Sequence, residues 1–164
     1  MKFVLDLVDH GSRLIGHAAA QLNLVAAAVT IYEVFARYVL NAPTAWGFEV
    51  ALTLAASAWV LSSGYVTVQQ RHIAITLLEA YLSAKARWWQ SVVNHLFGIA
   101  AISILAYSTW APAKTALSIP ERSGTGFNSP EPAILKFLLF IGACLYALQL
   151  SVNLIRKLTE DKDV

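Results

Sequence analysis

The sequence predicts an all-α polytopic membrane protein with four transmembrane helices, amphipathic surface helices and both termini on the cytoplasmic side. Three observations carry that prediction. The 164-residue chain is 57% apolar and only 13% charged, about half the charged share of a soluble domain. Four stretches are long and apolar enough to cross a hydrocarbon core of about 30 Å, which takes roughly 20 helical residues. Lys and Arg are shared unequally between the two sides of those stretches. The same composition excludes other classes. A net charge of +2, from scattered residues, is no nucleic-acid footprint. One cysteine, Cys144, allows neither an internal disulfide framework nor a multi-cysteine metal site.

The elements form one membrane domain over residues 1–164. Residues 1–13 read as an amphipathic surface helix, with Val4, Leu7 and Val8 on one face and Lys2, Asp6, Asp9 and Arg13 on the other. Residues 14–38 form the first span, the least pure because it carries His17, Gln21, Asn23 and Glu33. It is too long for a signal-peptide core and lacks a basic n-region, so the N-terminus is expected to stay on the mature chain. Residues 47–68 form the second span, whose Ala51, Ala55, Ala58 and Ser62 make a small-residue stripe suited to close helix packing. Residues 73–87 read as a second surface helix on the cytoplasmic side, with Ala74, Leu77, Leu78, Tyr81 and Leu82 on its apolar face. Residues 90–110 and 133–155 are spans three and four. Between them, residues 111–132 carry Pro112, Pro120, Pro130 and Pro132 with Gly124 and Gly126, which predicts an irregular outer loop and a docking surface. Gln149 and Asn153, one turn apart on span four, add polar surface suited to a partner and point to a subunit.

Orientation follows from the basic residues. Lys2, Arg13, Arg71, Lys85, Arg87, Arg156, Lys157 and Lys162 lie on one side, against Arg37, Lys114, Arg122 and Lys136 on the other. The richer side is expected to be cytoplasmic. Tyr38, Trp46, Tyr107 and Trp110 then anchor the outer interface, and Tyr65, Trp88 and Trp89 the inner one. Trp59, near mid-span, is read as a lipid-facing or packing aromatic.

No catalytic signature is present: no phosphate-binding loop, zinc helix or nucleophile elbow. The chain is therefore expected not to be an enzyme. Polar groups within the spans are the remaining candidates. His17 and His95 could ligate a haem from two helices, which would make the chain the membrane anchor of a redox complex. Interhelical hydrogen bonding is the plainer account of both, and the favoured one. Glu33 and Arg37, at i, i+4 spacing near the outer edge, read as a local charge cluster rather than a transport site, which would sit near the midplane.

The stretch from Arg37 to Ile75 is the most specific. It runs Arg37-Tyr38-Val39-Leu40-Asn41-Ala42-Pro43, then Trp46-Gly47-Phe48-Glu49, then a span with Gly64 near its end, then Arg71-His72-Ile73. This resembles the small membrane subunit, DctQ-like, of tripartite ATP-independent periplasmic (TRAP) transporters. The sequence departs from that family's common pattern at Phe48, where many relatives have a second acid, and at Thr76, often an Asp. The resemblance implies a scaffold subunit for a large elevator-type membrane subunit that carries substrate with sodium. A periplasmic substrate-binding protein would deliver organic acids to the pair. No cofactor is expected in this chain, since sodium coupling would reside in the large subunit. Arg37, Tyr38, Asn41, Pro43, Trp46, Glu49, Arg71 and His72 are the residues expected to shape the fold or to meet partners and phospholipids. Arg37 and Glu49 could clamp the first two helix ends, and Arg71 could reach a lipid phosphate. Lys114, Glu121, Arg122 and Glu131 are expected to help dock the binding protein. The location implied is a bacterial inner membrane.

Overall fold

A computed structural model describes residues 2–69, 82–119 and 121–160. They form four helices and no strand: α1 (Lys2–Tyr38), α2 (Gly47–Val68), α3 (Ala84–Ser118) and α4 (Glu131–Glu160). All four are long and apolar enough to cross a membrane. At 1.5 Å per residue even α2, with 22 residues, reaches about 33 Å, enough for the hydrocarbon core.

The helices pack in the order α1–α2–α4–α3. α1 also meets α4 near the chain termini, and among the described residues α3 packs on α4 alone. Both termini therefore lie at one end of the bundle, the terminal end. The α1–α2 and α3–α4 connections lie at the other, the turn end.

α1 buries Leu5, Ser12, Ala19, Ala26 and Glu33, one residue every seven. A strict seven-residue repeat keeps one seam of a helix facing its neighbour. Small side chains on that seam let backbones approach, which is what drives association once both helices are already in lipid. At Gly16 the approach is so close that a Cβ would overlap the Cβ of Tyr65 on α2, and at Gly142 on α4 one would overlap Val60. Of the four small residues expected to form the α2 stripe, Ala58 is fully buried and Ala51, Ala55 and Ser62 are half-buried. Trp59 points outward at 76% exposure.

Two boundaries differ from the sequence reading. The N-terminal segment is no separate surface helix. α1 runs unbroken from Lys2 to Tyr38, because nothing between Arg13 and the span stops it. Its faces differ in part: Val4 and Leu7 are exposed while Leu5 and Ser12 are buried, Asp6 and Arg13 are exposed as expected, and Asp9 turns in towards α4. The expected outer loop over residues 111–132 is shorter, since α3 continues through Pro112 to Ser118. Pro112 removes one hydrogen bond and crowds the preceding turn. Ala113 and Ala116, each 1% exposed, sit one turn apart and hold the helix in place beyond it. Pro132 falls within the first turn of α4, where a missing N–H costs nothing. Most of the expected surface helix over 73–87, with Arg71 and His72, lies outside the described residues; Ala84–Arg87 form the first turn of α3.

Candidate functional site

At the turn end, two buried carboxylates hold the connections. Glu33, 8% exposed, lies on the seam of α1. Its Oε1 accepts two bonds from Arg37, from Nη2 at 2.5 Å and Nε at 3.2 Å. Its Oε2 accepts the Thr44 hydroxyl and the Thr44 N–H, the latter at 3.2 Å. The Thr44 oxygen accepts in turn from the Gly47 N–H at 3.0 Å, satisfying a donor that the first turn of α2 leaves open. A side chain on Gly47 would strike this relay, since a Cβ would stand 2.8 Å from Glu33 Oε2.

Glu49, in the first turn of α2 and 4% exposed, does the same for α4. Its Oε2 accepts the Ser129 hydroxyl and the Ser129 N–H at 3.2 Å, and its Oε1 accepts the Ser123 hydroxyl at 3.0 Å. Ser129 Oγ accepts the Glu131 N–H at 3.4 Å, at the opening of α4. Each carboxylate therefore holds the hydroxyl that caps the next helix in the packing order. The loop after α3 closes on itself through Ser123 N–H to Ser129 O at 3.0 Å. Its Gly126 lies beside Ala45 of the α1–α2 turn: a Cβ added there would stand 4.0 Å from that of Ala45.

The sequence-predicted residues fall around these latches. Arg37 pairs with Glu33 rather than Glu49. The expected Arg37–Glu49 clamp is not formed, because Glu49 lies on the far side of α2, towards α4, and is filled by the serines. Asn41 adopts φ 51°, the left-handed conformation that Asn tolerates well and that lets the chain reverse after α1. Trp46 stacks on Tyr32 with ring centroids 5.9 Å apart. Tyr38 and Pro43 are exposed. Among the docking candidates, Lys114 stands exposed on the extended α3 and Glu131 opens α4. Glu121 is paired with Lys136, and Arg122 donates to Asn128 O at 2.8 Å. Thr44, Ser123 and Ser129 were not singled out by the sequence reading. A hydroxyl three residues before Gly47, and another before Pro130-Glu131, were the cap signals available.

The terminal end is tied by a buried amide. Gln149 is wholly buried. It accepts from Ser12 Oγ at 2.7 Å and donates to Asp9 Oδ1 at 2.7 Å and Asn153 Oδ1 at 3.3 Å. Asn153 donates to Thr67 O on α2 at 2.9 Å. Arg156 reaches Asp9 at 2.8 Å and Asp6 at 3.4 Å. Gln149 and Asn153 are therefore internal fastenings of α1, α2 and α4, not partner surface as their spacing suggested.

His17 and His95 stand on helices that do not pack together. Each ring sets Nδ1 against its own helix, His17 on Arg13 O at 2.6 Å and His95 on Ser91 O at 2.7 Å. His17 also lies against Tyr65, with ring centroids 5.3 Å apart. Among the described residues no group of three His, Cys, Asp or Glu side chains converges as metal ligands.

What this arrangement does is fasten α1, α2 and α4 to one another and hold the two connections at the turn end. No curated protein matches the chain. A family model does: the DctQ component of tripartite ATP-independent periplasmic transporters matches residues 26–160, which takes in the last part of α1, all of α2, α3 and α4, and both latches. The chain belongs to that family, a family of transporter components rather than of enzymes.

Proposed function

We propose that the chain is the stationary brace of a sodium-coupled TRAP transporter for organic acids. In this reading it widens the immobile part of a large elevator-type subunit in a bacterial inner membrane. It also offers its turn end to a periplasmic substrate-binding protein. The terminal end, richer in Lys and Arg, faces the cytoplasm.

The observation that carries this reading is where the buried charge goes. Glu33 and Glu49 are expensive to place in a span, and both are filled by donors of the same chain that fix connections and cap helices. A carrier needs polar groups that exchange partners; a brace needs groups that keep them. The α3–α4 loop, held by Glu49, offers a docking partner the exposed Arg122, with Lys114 exposed beside it on the last turns of α3.

The test is purification from native membrane in mild detergent. A stoichiometric, larger, many-spanning and colourless partner is expected. A flavin or iron–sulfur partner would sink the reading and turn attention to His17 and His95. Arg122→Glu with Lys114→Glu is expected to weaken binding of the soluble partner about tenfold, as loss of complementary charge does. Unchanged affinity would remove the turn end from that interface.

A further inference from the structure

Asn23 is the middle residue of the uncharged run of nineteen, residues 14–32, between Arg13 and Glu33. At 1.5 Å per residue that run spans about 28 Å, the thickness of the hydrocarbon core. The side chain is exposed on α1 and makes no hydrogen bond among the described residues. Thr30, on the same flank, differs: its hydroxyl returns to Ala26 O at 2.8 Å. A short amide at mid-depth cannot reach either headgroup layer, and lipid tails offer it no partner. Gln21 and Asn94 are less telling. Gln21 is longer and lies nearer the terminal end, and Asn94 is six residues from Trp88.

Asn23 also sits in a defined setting. Ala20, Asn23, Ala27, Thr30 and Val34 are all exposed, and they follow one another at alternating steps of three and four. That is the spacing of a helix-packing seam, and the small residues along it suit close approach in lipid. It runs beside the Ala19, Ala26 and Glu33 seam already buried on α2, one residue further round the helix.

We propose that this flank of α1 is the surface on which the large membrane subunit docks, with a hydrogen-bonding side chain or open carbonyl of one of its helices set against Asn23. The assignment rests on the proposed function, which supplies the large subunit. It adds the face, the depth and the chemistry of the contact. The occupant is that subunit rather than a second copy because the family is a component of a multi-part transporter.

Photo-crosslinking in the native membrane tests it, with a benzophenone amino acid placed singly at Ala27 and, as control, at Trp59 on the outward face of α2. The expected result is an adduct with a larger, many-spanning protein from Ala27 and none from Trp59. In parallel, Asn23→Leu is expected to lower recovery of that protein roughly three- to thirty-fold, the range for one interhelical hydrogen bond in a membrane. Asn23→Gln should restore part of it, with membrane levels of the chain unchanged. An adduct from Trp59 but not Ala27 would overturn the assigned face while leaving the brace reading intact. An adduct of twice the chain's own mass from Ala27 would replace the large subunit with a second copy. No larger membrane protein from either position, and none on purification, would remove both this inference and the reading beneath it.

Discussion

The two ends of the bundle are fastened in different ways. At the terminal end, side chains reach across from helix to helix: Ser12 and Asp9 on α1 meet Gln149 on α4, and Asn153 on α4 meets the α2 backbone. At the turn end, Glu33 and Glu49 reach mainly to connections and secure hydroxyls that cap the next helix. The first arrangement fixes how helices sit beside one another. The second fixes how the chain passes between them. A neutral amide serves the first well, since it donates and accepts at once. A carboxylate serves the second, since it is acceptor-only and can gather several N–H and O–H donors.

If that distinction is sound, variants at the two ends should fail differently. The largest effect is expected from Gly16→Leu, next to the terminal fastening. It would drive a side chain into Tyr65 and lower the thermal midpoint in detergent, at a cost of about 3 kcal/mol, the upper range for over-packing. Next comes Glu49→Ala, which frees Ser123 and Ser129 together. Protease cleavage within residues 121–130 should accelerate roughly tenfold, as a loop released from charge-assisted bonds becomes open to attack. The midpoint should move less than in Gly16→Leu. Gln149→Leu should cost about 2 kcal/mol, since it strands Ser12 and part of Asp9, and should leave loop cleavage unchanged. Were it to loosen the loop as much as Glu49→Ala does, the two ends would not be independent. The smallest effect belongs to Arg37→Ala. The Arg37 side chain is 48% exposed, so solvent screens its pull on the buried Glu33 carboxylate, and Glu33 keeps both of its bonds to Thr44. Neither readout should move appreciably.

The four spans were legible in the sequence because each needs only length and apolar content. The Arg37–Glu33 cluster was legible because i, i+4 neighbours meet on any helix. The rest depended on which helices become neighbours, and a single sequence does not display that. Along the chain Arg37 is the near partner for Glu49, but its donors lie 74 and 80 residues away at Ser123 and Ser129. Gln149 was read as partner surface for the same reason, since its donor Ser12 is 137 positions distant. Pro112 misled in another way. A proline predicts a helix end, yet Ala113 and Ala116 packed beyond it carry the helix on, as happens readily in membrane helices. On the N-terminal polar face Asp6 and Arg13 stay exposed, while Asp9 departs from the pattern because it has Arg156 and Gln149 to meet inside.

The position of α3 has a consequence for how the chain is made. α3 emerges before α4, yet among the described residues α4 is the one helix it packs on. For the time that α4 takes to be synthesised, α3 has lipid as its surroundings and must stay inserted on its own merits. Its polar residues suit that wait: His95 returns to Ser91 O, Ser108 to Leu105 O, and Thr109 to both Leu105 O and Ala106 O. α4 follows and joins the two parts, meeting α3 through Trp110 and Phe140 and α1 through Gln149. A chain stopped before α4 would therefore carry a hairpin and a solitary helix, which the insertion of α4 joins.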